Sequence, residues 1–285
     1  MERDLLRAEV ESALGRGPIG EARLAMLGSL IEIYEDESVL VGGKDLPLWE
    51  ACACATDCWE PFPESWQPGR DPTDPWSGGI VLPWVGERYR VGGVVVLGIN
   101  LREASGLYVE YEIASTQLER LQAGHKKPHG SWWAYRSTRA AAAVMRSMSG
   151  DNRLDVPDAV ELAGELDETA RVQAVKCSPK DGARSARTPE MNRNCPPRYL
   201  RRELAALRPA ALIGFGLETW NAVERIGEID ESVGCDDFSR SVVRLDGLAF
   251  EMMWLHHPSS VGDRWQRSFD LLLDNLAEHP VAAIA

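Results

Sequence analysis

The pattern of apolar and polar positions divides the chain into short buried strands and amphipathic helices. Residues 91–97 (VGGVVVL), 172–175 (VQAV) and 210–216 (AALIGFG) are apolar runs of the length and composition of buried parallel strands. Residues 242–245 and 248–255, joined at Asp246-Gly247, read as a β-hairpin. Helical spacing begins at residues 3–35, with Leu5, Leu6, Val10 and Leu14, then Leu24, Leu27, Leu30 and Ile31; the break at 15–20 makes this two helices. Further helices are predicted at 113–121, 138–148, from Pro189 onward, at 217–226 and at 265–276, the last with Phe269, Leu272, Leu273 and Leu276 inward. The start at Pro189 is well marked: Thr188 at the N-cap, a proline that needs no N–H, and Glu190 in the first turn. Alternation of strands and helices predicts an α/β protein. The expected form is a three-layer α/β/α domain over residues 49–285 with a mostly parallel central sheet, preceded by a helical extension at 1–48.

Polar residues concentrate where these strands end. Asn100 follows the first strand at its carboxyl end, where ligands sit in open α/β sheets. The hairpin runs directly into His256-His257-Pro258-Ser259-Ser260-Val261. The 172–175 strand opens into a loop bearing Lys180, Arg184 and Arg187. Another loop carries His125, Lys126, Lys127 and His129 beside Trp132 and Trp133; the tryptophans suit either stacking on a nucleic-acid strand or stapling the following helix. Residues 49–83, rich in Pro, Gly, Trp and Asp, read as a long irregular loop tied down near its start.

Length permits a full core: there are 285 residues. The N-terminus lacks an apolar signal region and no apolar run is long enough to span a bilayer, so the expected location is the cytoplasm, with no membrane partner. Six cysteines in a reducing compartment are poor candidates for disulfides. Their grouping, Cys52, Cys54 and Cys58, then Cys177 and Cys195, then Cys235, favours a metal or iron–sulfur site. A net charge of −13 opposes indiscriminate binding to nucleic acid. Yet residues 171–202 hold Lys176, Lys180, Arg184, Arg187, Arg193, Arg198 and Arg201 against Asp181 and Glu190, a basic stretch that is compatible with DNA although such runs are more commonly a solvated face.

Several separated pieces resemble one family in order. Gly98-Ile99-Asn100 looks like the first active-site motif of the mismatch-specific and single-strand-selective branches of the uracil-DNA glycosylase superfamily. Lys176-Cys177-Ser178-Pro179, the arginine-rich loop, Thr188-Pro189-Glu190, Cys195 and Pro197 look like the cluster-binding segment of its iron–sulfur branch. Phe215 lies in an apolar strand ending in glycine, as in that branch, and His257-Pro258-Ser259-Ser260 looks like the second active-site motif. The resemblance covers roughly residues 50–277 and implies a glycosylase-like fold and DNA as partner, with no nucleotide cofactor; the expected state is a monomer. It also implies a structural [4Fe–4S] cluster held by four thiolates, Cys177 and Cys195 with two of Cys52, Cys54 and Cys58.

The resemblance assigns Asn100 to positioning the attacking water and His257 to donating a hydrogen bond to the departing base. Ser259 and Ser260, with their backbone N–H groups, would grip phosphates, Val261 would wedge into the duplex, and Lys180, Arg184, Arg187 and Arg264 would contact the backbone. Tyr108 or Tyr111 would stack on the base. Three departures stand out: Leu101 replaces the usual proline, no upstream cysteine pair has the family's two-residue spacing, and Gln173 stands where uracil-removing relatives carry an asparagine. The expected activity is release of a modified pyrimidine, such as a glucosylated cytosine of phage DNA, with antiviral defence as the matching biology. The alternatives are uracil removal in base-excision repair, a non-catalytic or covalently trapping DNA binder in which His125 or His129 would matter, and an iron–sulfur redox protein.

Overall fold

A computed structural model of the protein describes residues 21–36, 79–80, 83–99, 118–124, 131–178, 189–230, 232–260 and 262–282. The elements, in order, are α1 (Glu21–Asp36), β1 (Gly79–Ile80), β2 (Trp84–Val85), β3 (Val94–Gly98), α2 (Ser131–Ser149), α3 (Ala159–Asp167), β4 (Ala170–Gln173) and β5 (Cys177–Ser178). There follow α4 (Pro189–Cys195), a π-helical turn (Pro196–Leu200), α5 (Arg201–Leu207), β6 (Ala211–Phe215), α6 (Leu217–Glu224), β7 (Glu228–Ile229), β8 (Val233–Cys235), β9 (Phe238–Leu245), β10 (Leu248–Leu255) and α7 (Arg264–Glu278).

The main sheet has eight strands in the order β2-β4-β3-β6-β10-β9-β7, with β8 also on β9. Its four central strands, β4, β3, β6 and β10, are mutually parallel. The remaining four join antiparallel, so the sheet is mixed and the expectation of a mostly parallel one is corrected. The physical reason is the hairpin. Its strands run eight residues each, twice the predicted length on the first side, and they carry an antiparallel extension beyond β10. Asp246 and Gly247 both take positive φ, 50° and 82°, the turn geometry whose twist matches two paired strands.

Period-two alternation sends successive strand residues to opposite faces, and each face has its own core. Val95, Leu97, Val172, Leu212 and Met252 pack with α1, α5 and α6. Val94, Val96, Ala211, Ile213, Phe215, Met253 and Leu255 pack with α2 and α7. The four-alanine run 140–143 inside α2 is wholly buried, and its small side chains let the helix lie close to the sheet and to α3. Helix α1 presents Met26, Leu27, Leu30, Ile31, Ile33 and Tyr34 to the same core as the sheet.

Local chemistry explains the boundaries. Helix α3, absent from the sequence expectation, starts where the Asp158 carboxylate accepts hydrogen bonds from the N–H groups of Val160 and Glu161, both at 3.0 Å. Helix α4 begins at Pro189 as predicted. Pro196 and Pro197 lack N–H donors, and the helix passes them through a π turn in which Arg201 N–H bonds back to Pro196. Gly79–Ile80, expected within an irregular loop, pairs antiparallel with β5.

Candidate functional site

The central strands are ordered second, first, third, fourth in chain sequence, which places a topological switch beside β3. In open α/β sheets the crevice at the carboxyl ends of the strands flanking such a switch is where ligands bind. Those ends are Gly98-Ile99 on β3, Gln173 on β4, Phe215-Gly216 on β6 and His256-His257 on β10. Four neighbouring strands at about 4.8 Å spacing give a row roughly 14 Å wide.

Gly98, Gln173, Phe215 and His257 share one face of this row, the one covered by α2. Gly98 and Gln173 are register partners, and the Gln173 amide lies across Gly98 so closely that a Cβ at residue 98 would overlap it. Gln173 is 2% exposed. The strand pairing continues beyond it, with Ala174 N–H to Gly98 carbonyl at 2.9 Å and Val175 N–H to Ile99 carbonyl at 2.7 Å. Two residues earlier, buried Arg171 donates to the hydroxyls of Ser137 and Thr138 on α2, at 3.0 and 2.8 Å.

Trp133, in the first turn of α2, joins the other half of the row. Its ring stacks on His257, centroids 5.2 Å apart and planes 20° from parallel, and meets Phe215 edge-on at 5.2 Å. The helix begins at Ser131, two turns earlier than predicted, and Trp133 packs, partly buried, against the core under α2. Arg136, one turn further on, donates to the Pro258 carbonyl.

The His257 turn closes on itself. Ser259 N–H donates to His257 Nδ1 at 3.1 Å, and Ser260 N–H to the His257 carbonyl at 2.8 Å. An Nδ1 that accepts a hydrogen bond carries no proton, so the neutral ring holds its proton on Nε2. The turn thus makes His257 a directed N–H donor at the strand end. It also corrects the expectation that the Ser259 and Ser260 N–H groups face phosphates, since both are committed inside the turn. Ser259 is exposed and Ser260 partly so, and Arg264 is exposed at the start of α7.

Next to it lies a pair the sequence reading missed. His256 Nε2 is 2.8 Å from Asp237 Oδ1, and the Asp237 carboxylate also meets Arg267 at 3.2 Å. The hydrogen bond from His256, with Arg267 adding to it, holds the Asp237 carboxyl below its ordinary pKa. The signal was available in the hairpin: a register that sets Leu255 opposite Phe238 sets His256 opposite Asp237 one step on.

The basic stretch is thinner than its sequence. Lys176 is fully buried, its Nζ 2.7 Å from Glu203, and Tyr34 bonds to the same carboxylate from α1. Burial, and then the charge of Glu203, pushes the Tyr34 hydroxyl well above its ordinary pKa. Arg201 pairs with Asp246, Arg202 with Asp36 and Arg193 with Glu190. Cys195 is wholly buried in the core that also holds Tyr34 and Tyr199. Cys177 is placed in β5 by its backbone. Asn100, Tyr108, Tyr111, Lys180, Arg184, Arg187, Val261, Cys52, Cys54, Cys58, His125 and His129 lie outside the described residues.

A cavity of about 530 Å³ lies at the opposite end of β10, by the Asp246–Gly247 turn. Two of its arginines, Arg201 and Arg244, are already paired with Asp246 and Asp230. No protein-family model and no curated protein sequence matches the chain.

Proposed function

We propose that the protein is a monofunctional DNA glycosylase that flips out a nucleotide and hydrolyses its N-glycosidic bond, leaving an abasic site. The observation that carries this reading is His257, whose Nδ1 is occupied by Ser259 N–H at a strand end facing the same side as Gln173 and Phe215. A neutral Nε2–H donor suits a reaction in which the bond from C1′ to the base nitrogen breaks and its electron pair goes to the base. Negative charge then grows on a base oxygen, and a fixed donor there lowers the barrier without having to reorganise. Water forms the new bond to C1′, and the proton it loses ends on the departed base, so the products are the neutral base and the abasic sugar. Asn100 is assigned to orient that water; a neutral amide is a poor base, so charge stabilisation outweighs deprotonation.

Gln173 is assigned to the edge of the flipped base, with Tyr108 or Tyr111 stacking on its face. The longer glutamine amide, seated over Gly98, disfavours uracil and fits a modified pyrimidine such as a glucosylated cytosine of phage DNA, which makes antiviral defence the matching role. The hydroxyls of Ser259 and Ser260, with Arg264, Lys180, Arg184 and Arg187, are assigned to the DNA backbone and Val261 to the gap left in the duplex. A [4Fe–4S] cluster on Cys177, Cys195 and two of Cys52, Cys54 and Cys58 fits the donor chemistry of the chain, and fully buried Cys195 has the shielded setting of a structural ligand. Its part is to hold the basic loop.

Incubation with DNA containing modified cytosines, followed by mass spectrometry of the small-molecule fraction, tests the reading. Free modified base is the expected product. A DNA–protein band that survives denaturing gels, with no free base, would instead mark a covalent trap.

A further inference from the structure

We propose that His256 and Asp237 form a positioning pair that fixes the orientation of His257, an inference that rests on the glycosylase reading of the site. The two histidines are consecutive residues leaving β10, and alternation turns their rings to different surroundings. His257 lies against Trp133 of α2. His256 lies edge-on to Trp254, with centroids 5.1 Å apart, and bonds to Asp237 in the β8–β9 turn.

His256 is tied to the Asp237 segment twice. Its ring meets the Asp237 carboxylate at 2.8 Å, and its backbone N–H donates at 3.0 Å to Ser268 Oγ, which donates in turn to the Asp237 carbonyl. Ser268 is fully buried on α7. Arg267, the preceding residue, bonds to both Asp237 and Asp263, so the carboxylate is held from a second side. The peptide joining residues 256 and 257 is therefore clamped between the β8–β9 turn and α7 on one side and α2 on the other. Rotation of that peptide is the motion that would swing His257 Nε2 away from the base.

Exposure separates this role from simple stability. The His256 and Asp237 side chains are 19% and 30% exposed, so water screens part of what their hydrogen bond contributes to folding. Orientation is a different quantity, because a misplacement of about 1 Å at a reacting group costs up to about a hundredfold in rate.

The test uses the full chain carrying His256→Ala, Asp237→Ala or His256→Gln, the last keeping a donor near the position of Nε2. Two readouts are taken: single-turnover base release with DNA affinity, and the imidazole ¹⁵N signals of His257. The expected result is a ten- to hundredfold loss of rate in both alanine variants, with DNA affinity within about twofold, and recovery in His256→Gln. The His257 signals are expected to move from a single Nε2–H tautomer in the wild type to a mixture in the alanine variants, because freeing the 256–257 peptide loosens the Ser259 N–H to Nδ1 bond that sets the tautomer. Unchanged rate and unchanged tautomer in His256→Ala overturn the proposal, as does a lowered melting temperature with normal rate. If Asp237→Ala does not fold, the comparison of His256→Ala with His256→Gln decides. If the wild type releases no base, the glycosylase reading fails on its own, and the tautomer of His257 alone decides the positioning claim.

Discussion

His257→Ala removes a donor whose tautomer is fixed by its own turn. Base release is expected to fall by about 10²–10³-fold, the usual cost of losing a preorganised donor to a developing anion, while DNA affinity stays within a few-fold. Single-turnover kinetics alongside a binding titration measure both. Gly98 and Gln173 make a second residue-scale prediction, because the amide occupies the space a Cβ at residue 98 would need. Gly98→Ala should displace the amide and shift the preference between bases by about tenfold, in the same direction as Gln173→Ala, a size typical of a methyl-sized change in a pocket. Gln173→Asn should admit uracil. At this scale the sequence placed His257 just past an apolar strand, whereas Gln173 was singled out only by the resemblance, counting back from Cys177. It did not reveal the Trp133 stack, because one tryptophan at a helix start reads equally as core or as ligand surface. Nor did it reveal that the Ser259 and Ser260 N–H groups turn inward, since only the turn geometry decides that.

Helix α3 hangs on a single cap, so Asp158→Ala should cost about 1 kcal/mol and lower the melting temperature by about 2–4 °C. The same helix shows why element-level reading was incomplete: it lies in an acidic stretch, and its buried face of Ala159, Leu162, Ala163 and Leu166 is short. By contrast β3, β4, β6 and β10 were each legible within a few residues, as long apolar runs are. Strands β7 and β8 carry few buried side chains and exist because β9 offers them a partner. The Tyr34–Glu203–Lys176 group ties α1, α5 and the end of β4 together in the core. Lys176→Met should destabilise by about 3–5 kcal/mol by stranding the carboxylate, and the triple change Tyr34→Phe/Lys176→Met/Glu203→Leu should recover most of that in urea denaturation. Two carboxylates that flank β9 are expected to add to the acid sensitivity. Asp237 and Asp246 have pKa values lowered chiefly by hydrogen bonds from His256 and Arg201. A folded pKa below the unfolded one gives stability that is complete above about pH 4 and is lost as pH falls through the folded value. Asp246→Asn should therefore flatten the fall of melting temperature below about pH 4.

For the whole molecule, the net charge of −13 means that the DNA affinity we propose has to come from a local patch. Arg171 and Lys176, basic in sequence, are interior, and several of their neighbours are paired, so composition overstated the patch because it cannot see which side of a strand a cation occupies. With Lys180, Arg184, Arg187 and Arg264 as the phosphate contacts, the slope of log affinity against log salt should be about −4, becoming shallower by about 1 in Arg264→Ala. The α/β class and the helices on both faces of the sheet were legible in the sequence. The mixed sheet was not, because hairpin length is set by partners on both edges. The most direct test of the central claim is alkali-labile site formation in matched DNAs carrying uracil, hypoxanthine, hydroxymethylcytosine or glucosylated hydroxymethylcytosine, with Asn100→Ala and His257→Ala as controls. The account predicts abasic sites in a modified-cytosine DNA, lost in both variants; intact strands with every base, under conditions where the protein binds the DNA, would contradict it.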